Sequence, residues 1–383
     1  MKKIGLYICN YNKKEYVLNN IASLEKQTLR NDIDIYVIDN ASSDGSAEAI
    51  ETNFPNVVVL RNETNEGGAG GFYRALIEGE KRGYKYILLA DNDVIADEVA
   101  VEEMFIFLQK HKEVGMVGAQ LFFMDEPEKI WVYGNKLDFL HYKILDGFSG
   151  KLINEEMPEY VLCDTVPSCF SLIRTECLSQ AGYMPRNNFI SWDDIEWCYR
   201  FKLAGYEVAA ISAAKVWHKT GGKVLTNHFS TYYYNRNKLH FFARYIKEDV
   251  IEEYAESLLK DIFTRMYGLA QKNQNNMVTV LMYAFNDFLY DIRGKADEHK
   301  ILPYDEYRDP LEKYIGNIVA CEHVKDVEAY DANKVYVDKW HNVIMSENDF
   351  WYFKNFDNAY RNFRMMYYDA TVHAIKMIRG KEC

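Results

Sequence analysis

Short apolar runs alternate with amphipathic segments through the first ninety residues of the chain. Four runs are predicted strands because they are apolar and bounded by turn residues. They are "KIGLYICN" (3–10), "DIYVID" (34–39), "NVVVLRN" (56–62) and "YKYILLA" (84–90). The segments between them carry apolar residues at helical spacing. Strand and helix alternate in order, which favours a parallel sheet with right-handed crossovers.

The pattern changes further along the chain. Residues 115–230 are less regular, although "VGMVGAQLFF" and "YEVAAISAAKVWH" are typical of strands. After about residue 230, tyrosine and phenylalanine become dense, glycine becomes sparse, and long helical patterns appear. We therefore expect two domains, an α/β domain over residues 1–230 and a mainly α-helical domain over residues 231–383.

Composition narrows the class of protein. The net charge of −12 argues against nucleic acid as a partner, since that would need a basic face. The seven cysteines are scattered and form no CxxC pair, which predicts reduced thiols in a cytoplasmic protein. Because no apolar run is long enough for a signal peptide or a membrane span, we expect a protein that does not cross a membrane.

Polar residues follow the predicted strands of the first domain at their C-terminal ends. These residues are Asn10, Asp39, Asn65 and Asp91. In open parallel sheets, ligands bind beyond the carboxyl ends of the strands. The sequence therefore predicts that these four residues share one binding site.

Two pairs of aspartates and one histidine are candidates for metal binding or catalysis. Asp91 and Asp93 in "LLADNDV" can face the same side of an extended segment and chelate a hard cation, or Asp93 can cap a following helix. Asp193 and Asp194 open a predicted helix, whose dipole explains one acid but not two beside an aromatic residue. His218 follows a predicted strand and is either a metal ligand or an ordinary core or surface histidine.

The glycine-rich segment "NEGGAGGF" (65–72) lies between a predicted strand and a predicted helix. Glycines in this position, such as Gly68, let the backbone approach phosphates closely. Tight packing of helix on strand is the alternative, because the spacing is neither a Walker A motif nor GxGxxG.

Together these segments resemble the inverting family 2 glycosyltransferases of the GT-A fold. The resemblance covers about residues 1–240 and rests on "ICNYNK", "VIDNASSDGS", "NEGGAGGF", "LLADNDV", "WDDIEWCYR", "VWHK" and "YYYNRN". The glycine run, the Trp-Asp-Asp and the Trp-His are most similar to the galactofuranosyltransferase branch, with rhamnosyltransferases next. Cys9 stands where threonine is usual and "DND" replaces three aspartates, so the donor stays open.

The resemblance implies a role for each candidate residue. Asp91, Asp93 and His218 would hold Mn²⁺ or Mg²⁺, with mixed carboxylate and imidazole ligation favouring Mn²⁺. Asp194 would be the general base, while Asp193 and Trp192 would position the acceptor. The nucleotide pocket would be formed by Asn10, Tyr11, Asn12, Asp39, Asn65, Gly68 and Asp91.

The implied reaction is sugar transfer from a nucleotide diphosphate, with UDP-galactofuranose as the leading donor, to a glycan or lipid-linked glycan in bacterial surface polysaccharide synthesis. The alternatives are dTDP-rhamnose as donor and a nucleotide-sugar-binding protein without catalysis. A nucleotidyltransferase is disfavoured, because "NYNKKEY" after the first strand is not a glycine-rich basic loop. Homo-oligomers are compatible with this function.

The C-terminal segment 360–381 raises the question of membrane contact. Its apolar residues gather on one helical side, and its arginines and lysines suit anionic headgroups. We expect either a peripheral contact with the inner face of the cell membrane or packing of this helix within its own domain. The apolar residues are Phe363, Tyr367, Ala370, Ala374 and Met377.

Overall fold

The computed structural model describes residues 2–153, 156–219, 227–270, 274–301, 318–320, 335–337, 343–344 and 356–380. The chain divides into two compact units, residues 1–222 and residues 223–383.

The first unit is an α/β unit built on one ten-stranded sheet. Its strands are β1 (Ile4–Asn10), β2 (Ile33–Asp39), β3 (Val58–Arg61), β4 (Tyr86–Asp91), β5 (Val94–Ala96), β6 (Val114–Phe123), β7 (Ile130–Val132), β8 (Asn135–Asp138), β9 (Lys143–Asp146), β10 (Tyr160–Cys163), β11 (Phe170–Arg174) and β12 (Glu207–His218). Its helices are α1 (Lys14–Leu24), α2 (Ser46–Asn53), α3 (Gly67–Lys81), α4 (Ala100–Lys110), α5 (Leu178–Ala181) and α6 (Asp193–Leu203). Strands β8 and β9 form a separate hairpin.

The order of strands across the sheet is β10-β12-β6-β11-β4-β1-β2-β3, with β5 paired to β12 and β7 to β6. Strands β3, β2, β1 and β4 are parallel, as the alternation of strands and helices predicts. Strand β11 runs antiparallel to both of its neighbours, β4 and β6, and was not predicted. All seven residues of β1 are buried, which is expected of a strand covered by helices on both faces.

The register of the parallel strands aligns the predicted polar residues. Asn10 at the end of β1 is opposite Asp39 at the end of β2. On the other side of β1, Cys9 is opposite Asp91 at the end of β4. The C-terminal ends of three strands thus meet at one edge of the sheet.

The second unit is mainly helical. Its helices are α7 (His228–Tyr245), α8 (Ile251–Ala270), α9 (Asn275–Leu289) and α10 (Phe356–Arg379), and a small sheet contains β13 (Ile318–Ala320), β14 (Val335–Val337) and β15 (Val343–Ile344).

Helix α10 packs within this unit. Phe363 is buried, with its ring centroid 5.3 Å from that of Phe263 in α8 and 6.0 Å from that of Phe285 in α9. Ala374 is buried as well, whereas Ala370 is exposed, so the predicted apolar stripe is only partly the packed face. These contacts support the packing interpretation of the segment. Among the described residues, no helix is both long enough and apolar enough to span a membrane.

Candidate active site

The loop after β4 carries the first pair of acids. Strand β4 ends at Asp91, and β5 begins three residues later and pairs with the end of β12, where Val94 is opposite His218. This pairing brings the imidazole to the loop. His218 Nε2 lies 3.1 Å from Asp93 Oδ1 and 3.7 Å from Asp91 Oδ2.

The His218 ring is held from one side by an indole. Trp131 of β7 stacks on it with ring centroids 4.7 Å apart. Burial lowers the pKa of His218, but the hydrogen bond to Asp93 and the charge of Asp91 outweigh burial, so the pKa is raised. His218 Nδ1 is buried and has no hydrogen-bond partner within the described part of the chain.

A third side chain borders this group. Cys169 directly precedes β11, and its carbonyl oxygen accepts a 2.9 Å hydrogen bond from the amide of Asp91. Ligand atoms of Asp91, Cys169 and His218 all lie within 4.8 Å of one another. The carboxylates and the imidazole, whose Nε2 faces them, are a fitting donor set for a divalent cation. No sequence pattern pointed to Cys169, which reaches the site only through the antiparallel strand.

The second pair of acids begins helix α6. Three residues before it have left-handed backbone angles that are uncommon for side-chain-bearing residues: Phe189 and Ser191 at φ 66° and Trp192 at φ 63°. Such strain is typical of segments whose geometry serves a function. Asp193 is buried and Asp194 is half-buried at the entry of the helix.

The two acid pairs influence each other. Burial and the charge of Asp93 raise the pKa of Asp91 to about 7, with His218 opposing and Asp194 adding to the rise. Burial also raises the pKa of Asp194 to about 6, although backbone N–H groups of Ile195 and Ser168 oppose it. Burial and Asp194 raise the pKa of Asp193 well above its ordinary value. Like charges held this close favour a bound cation.

Two side chains at the start of α6 are placed differently from the prediction. Trp192 is only 1% exposed, so its indole is enclosed by protein and does not present a face to an acceptor. Glu196, which its spacing of three residues from Asp193 predicts to support that residue, is buried in an ion pair with Arg200 at 2.6 Å.

The ends of β1 and β2 form a polar network beside the acids. The Asn10 amide donates to Asp39 Oδ1 at 3.3 Å and to Ser46 Oγ at 3.1 Å, and its oxygen accepts from Asn92 at 2.9 Å. Asp39 Oδ2 accepts from the amide of Ser42 at 3.1 Å. Asn92, the central residue of "DND", therefore links the acid loop to this network.

The neighbouring loop holds Asn12 and Tyr11. Asn12 has φ 49° and its side-chain oxygen accepts from the amide of Ser43 at 2.7 Å. Tyr11 is 45% exposed, which leaves its ring accessible to a ligand.

The glycines of the segment 65–72 divide between the two predicted roles, close packing of helix on strand and backbone approach to phosphates. Asn65 Oδ1 accepts from the amide of Gly67 at 2.9 Å and so shapes the start of α3. A Cβ on Gly67 would lie 2.1 Å from the carbonyl oxygen of Phe189, and one on Gly71 2.3 Å from Cys9 Sγ. These two glycines serve packing. Gly68 has open space where a side chain would be, as a phosphate-facing backbone would require.

Comparison with known proteins shows similarity over part of the chain. Residues 6–175 match the protein family described as glycosyl transferase family 2. Galactofuranosyltransferase GlfT2 of Mycolicibacterium smegmatis is 23% identical over 62% of this chain and 40% of its own length. Abequosyltransferase RfbV of Salmonella typhimurium is 32% identical over 35% of this chain and 45% of its own length. The chain thus spans less than half the length of these relatives.

A solved structure shows the fold. The crystal structure of GalNAc-T7 with UDP, GalNAc and Mn²⁺ superposes with a TM-score of 0.50 and 14% identity, over 67% of this chain and 50% of that one. The predicted fold class, a GT-A domain followed by a mainly helical region, is confirmed. Over part of its length the chain is thus similar to glycosyltransferases.

Proposed function

We propose that residues 6–175, which match glycosyl transferase family 2, act with Asp193, Asp194 and His218 beyond them as an inverting, metal-dependent glycosyltransferase. The observation that carries the proposal is the proximity of two acid pairs with different surroundings. Asp91 and Asp93 are beside an imidazole, whereas Asp194 is at a helix entry.

Asp91, Asp93 and His218 would hold Mn²⁺ or Mg²⁺. When bound, such an ion neutralises the charge of a diphosphate leaving group. The chain's own contribution is to hold the carboxylates against their mutual repulsion. Trp131, stacked on His218, keeps the ring oriented toward them.

Asp194 is the proposed general base. Inversion requires one group that takes the proton of the acceptor hydroxyl as its oxygen attacks, and no carboxylate nucleophile is needed. A pKa of about 6 suits this task, because the carboxylate is ionised at neutral pH yet more basic than an ordinary aspartate. Asp193 and the enclosed Trp192 would position Asp194 and the acceptor by fixing the first turn of α6.

The nucleotide would occupy the polar edge formed by β1 and β2. Asp39 offers a carboxylate for base and ribose, and Asn10 orients it. Tyr11, Asn12 and the Asn65–Gly68 segment would complete the pocket. UDP-galactofuranose is the leading donor, supported by the likeness to a galactofuranosyltransferase. The acceptor would be a glycan or lipid-linked glycan of a bacterial surface polysaccharide, reached at the inner face of the membrane.

A donor screen tests the proposal. Purified protein is given each sugar nucleotide separately, with an acceptor extract, and nucleotide release is measured with EDTA and with added Mn²⁺. Release from a UDP-sugar that EDTA abolishes and Mn²⁺ restores is the expected result. Turnover with dTDP-rhamnose alone would replace the donor, and full activity in EDTA would overturn the roles of Asp91, Asp93 and His218.

A further inference from the structure

A side chain of different chemistry lies beside the metal-binding group of the proposed function. Cys169 is 4% exposed, and ligand atoms of Asp91, Cys169 and His218 lie within 4.8 Å of one another. Carboxylate oxygen is a hard donor and thiolate sulfur a soft one, so the thiol changes which cations the group prefers.

The position of Cys169 is fixed by the sheet. Its carbonyl accepts from the amide of Asp91, and the next residue, Phe170, is opposite Ala90 in the β11–β4 pairing. The backbone therefore holds the sulfur and the carboxylate as neighbours. The imidazole arrives independently on β12, and its Nε2 faces the carboxylates of Asp91 and Asp93 at 3.7 and 3.1 Å.

We propose that Cys169 is a ligand of the divalent cation, so that Asp91, Cys169 and His218 form a mixed oxygen, sulfur and nitrogen site that selects softer cations over Mg²⁺. This inference rests on the proposed function for the site but not on its donor or acceptor. A thiolate ligand disfavours Mg²⁺, which prefers oxygen and water, and favours Zn²⁺ and Cd²⁺. The consequence is an enzyme that Mn²⁺ supports and thiophilic ions occupy tightly.

The test uses Cd²⁺ as the probe on the full chain, without donor or acceptor. Metal-free protein is titrated with Cd²⁺ while the ultraviolet sulfur-to-cadmium charge-transfer absorption is followed, and Mn²⁺ is then added in excess. We expect an absorption that Cys169→Ser lacks and that, in the wild type, only a large excess of Mn²⁺ over Cd²⁺ lowers. In that variant the preference for Cd²⁺ over Mn²⁺ should fall by at least about tenfold, the lower range for losing a group that tunes a metal site.

Cys163→Ser is the matched control, because Cys163 is also buried in this unit but its Sγ faces the carbonyl of Val208 at 3.6 Å. It should keep the Mn²⁺-sensitive absorption. Cys169→Ala serves as a second variant, and circular dichroism checks the folding of each.

Absorption that persists in both Cys169 variants would overturn the proposal. The two proposals fail separately. Metal-dependent transfer without this absorption would contradict only the proposal that Cys169 is a ligand. The absorption without turnover of any sugar nucleotide would support Cys169 as a ligand and contradict the proposed glycosyltransferase function.

Discussion

The two units of the chain enclose charged side chains in opposite ways. In the helical unit, Asp287 is 4% exposed and accepts from Lys300 Nζ at 2.7 and 2.8 Å as well as from the Tyr232 hydroxyl. Arg236 is fully buried, 5.1 and 5.0 Å from the ring centroids of Tyr232 and Tyr233. Each charge in this network faces an opposite charge or an aromatic ring.

In the α/β unit, like charges are held together instead. The pKa of Asp91 rises to about 7 because burial and the charge of Asp93 outweigh the attraction of His218. Burial alone raises the pKa of Asp194 to about 6 against the opposing backbone amides. A balanced network stabilises a fold, whereas a cluster of like charges costs stability and is retained for binding or catalysis.

The largest expected effect concerns catalysis at the acid cluster. Asp194→Asn keeps the shape of the side chain and removes proton acceptance, so transfer should fall by roughly 10²–10⁴-fold while nucleotide binding survives. Steady-state kinetics and calorimetric titration with UDP measure the two. If Asp193→Asn is the variant that loses transfer while Asp194→Asn stays active, the base is the preceding residue.

An aspartate-to-asparagine substitution in the network around Asp287 should lower the stability of the helical unit. Asp287→Asn leaves Lys300 without its counter-charge and should cost about 3–5 kcal/mol in the free energy of unfolding, as for a broken buried pair. Denaturant titration gives the value. Glu256→Gln in the same unit is the control, because its pair with Arg364 is partly exposed and should contribute less than about 1 kcal/mol. Equal costs would contradict the distinction between buried and exposed pairs.

A substitution inside the α/β unit that alters packing but not charge tests how much packing alone contributes to stability. Gly67→Ala would press a Cβ against the carbonyl oxygen of Phe189 at a residue with φ +72°, so we expect a loss of about 1–3 kcal/mol. Gly68→Ala is the neighbouring control and should leave thermal stability nearly unchanged. Similar melting temperatures for both would show that the Phe189 loop moves aside freely.

Both the transfer rate and the metal-free stability should depend on pH through Asp194. Asp194 acts as a carboxylate, so kcat/KM should fall about tenfold for each pH unit below about 6. Since the folded-state pKa lies above the ordinary 3.8, the folded protein binds this proton more tightly than the unfolded chain. Metal-free stability contributed by this group is therefore fully present below about pH 4 and is lost as the pH rises through about 6. A pH-independent rate between pH 5 and 7 would contradict a base with a pKa of about 6.

The smallest effect has the opposite sign to that of Asp287→Asn. Asp193→Asn removes one of the crowded negative charges and should raise metal-free stability by about 1 kcal/mol, the energy of a like charge a few ångströms away in a water-like medium. Differential scanning fluorimetry in EDTA measures it. Destabilisation would mean that the Asp193 carboxylate supports the entry of α6 more than it repels its neighbours.

The predictable parts of the molecule are those with local patterns. Strands β1, β2, β3 and β4 follow from apolar runs, and their parallel order predicts that Asn10, Asp39 and Asp91 meet at one edge. The short strand β11 was missed because five residues carry too little periodicity, and Cys169 was missed with it. The burial of Trp192 could not be predicted from the sequence either, because whether an aromatic residue faces a ligand or the core depends on tertiary packing.

The central antiparallel strand has a consequence for how the protein folds. Strand β11 pairs Leu172 with Leu88 and with Val117, so the middle of the sheet closes only after a long stretch of chain has been ordered. Long-range pairing of this kind is slow, because the entropy of the connecting chain is lost on loop closure before the stabilising contacts between the strands form. During synthesis, β1–β4 emerge well before β11, and Asp91 acquires Cys169, His218 and Asp194 as neighbours only when the later strands insert. We therefore expect the acid cluster to assemble in the last stage of folding, which spares the early intermediates its electrostatic repulsion.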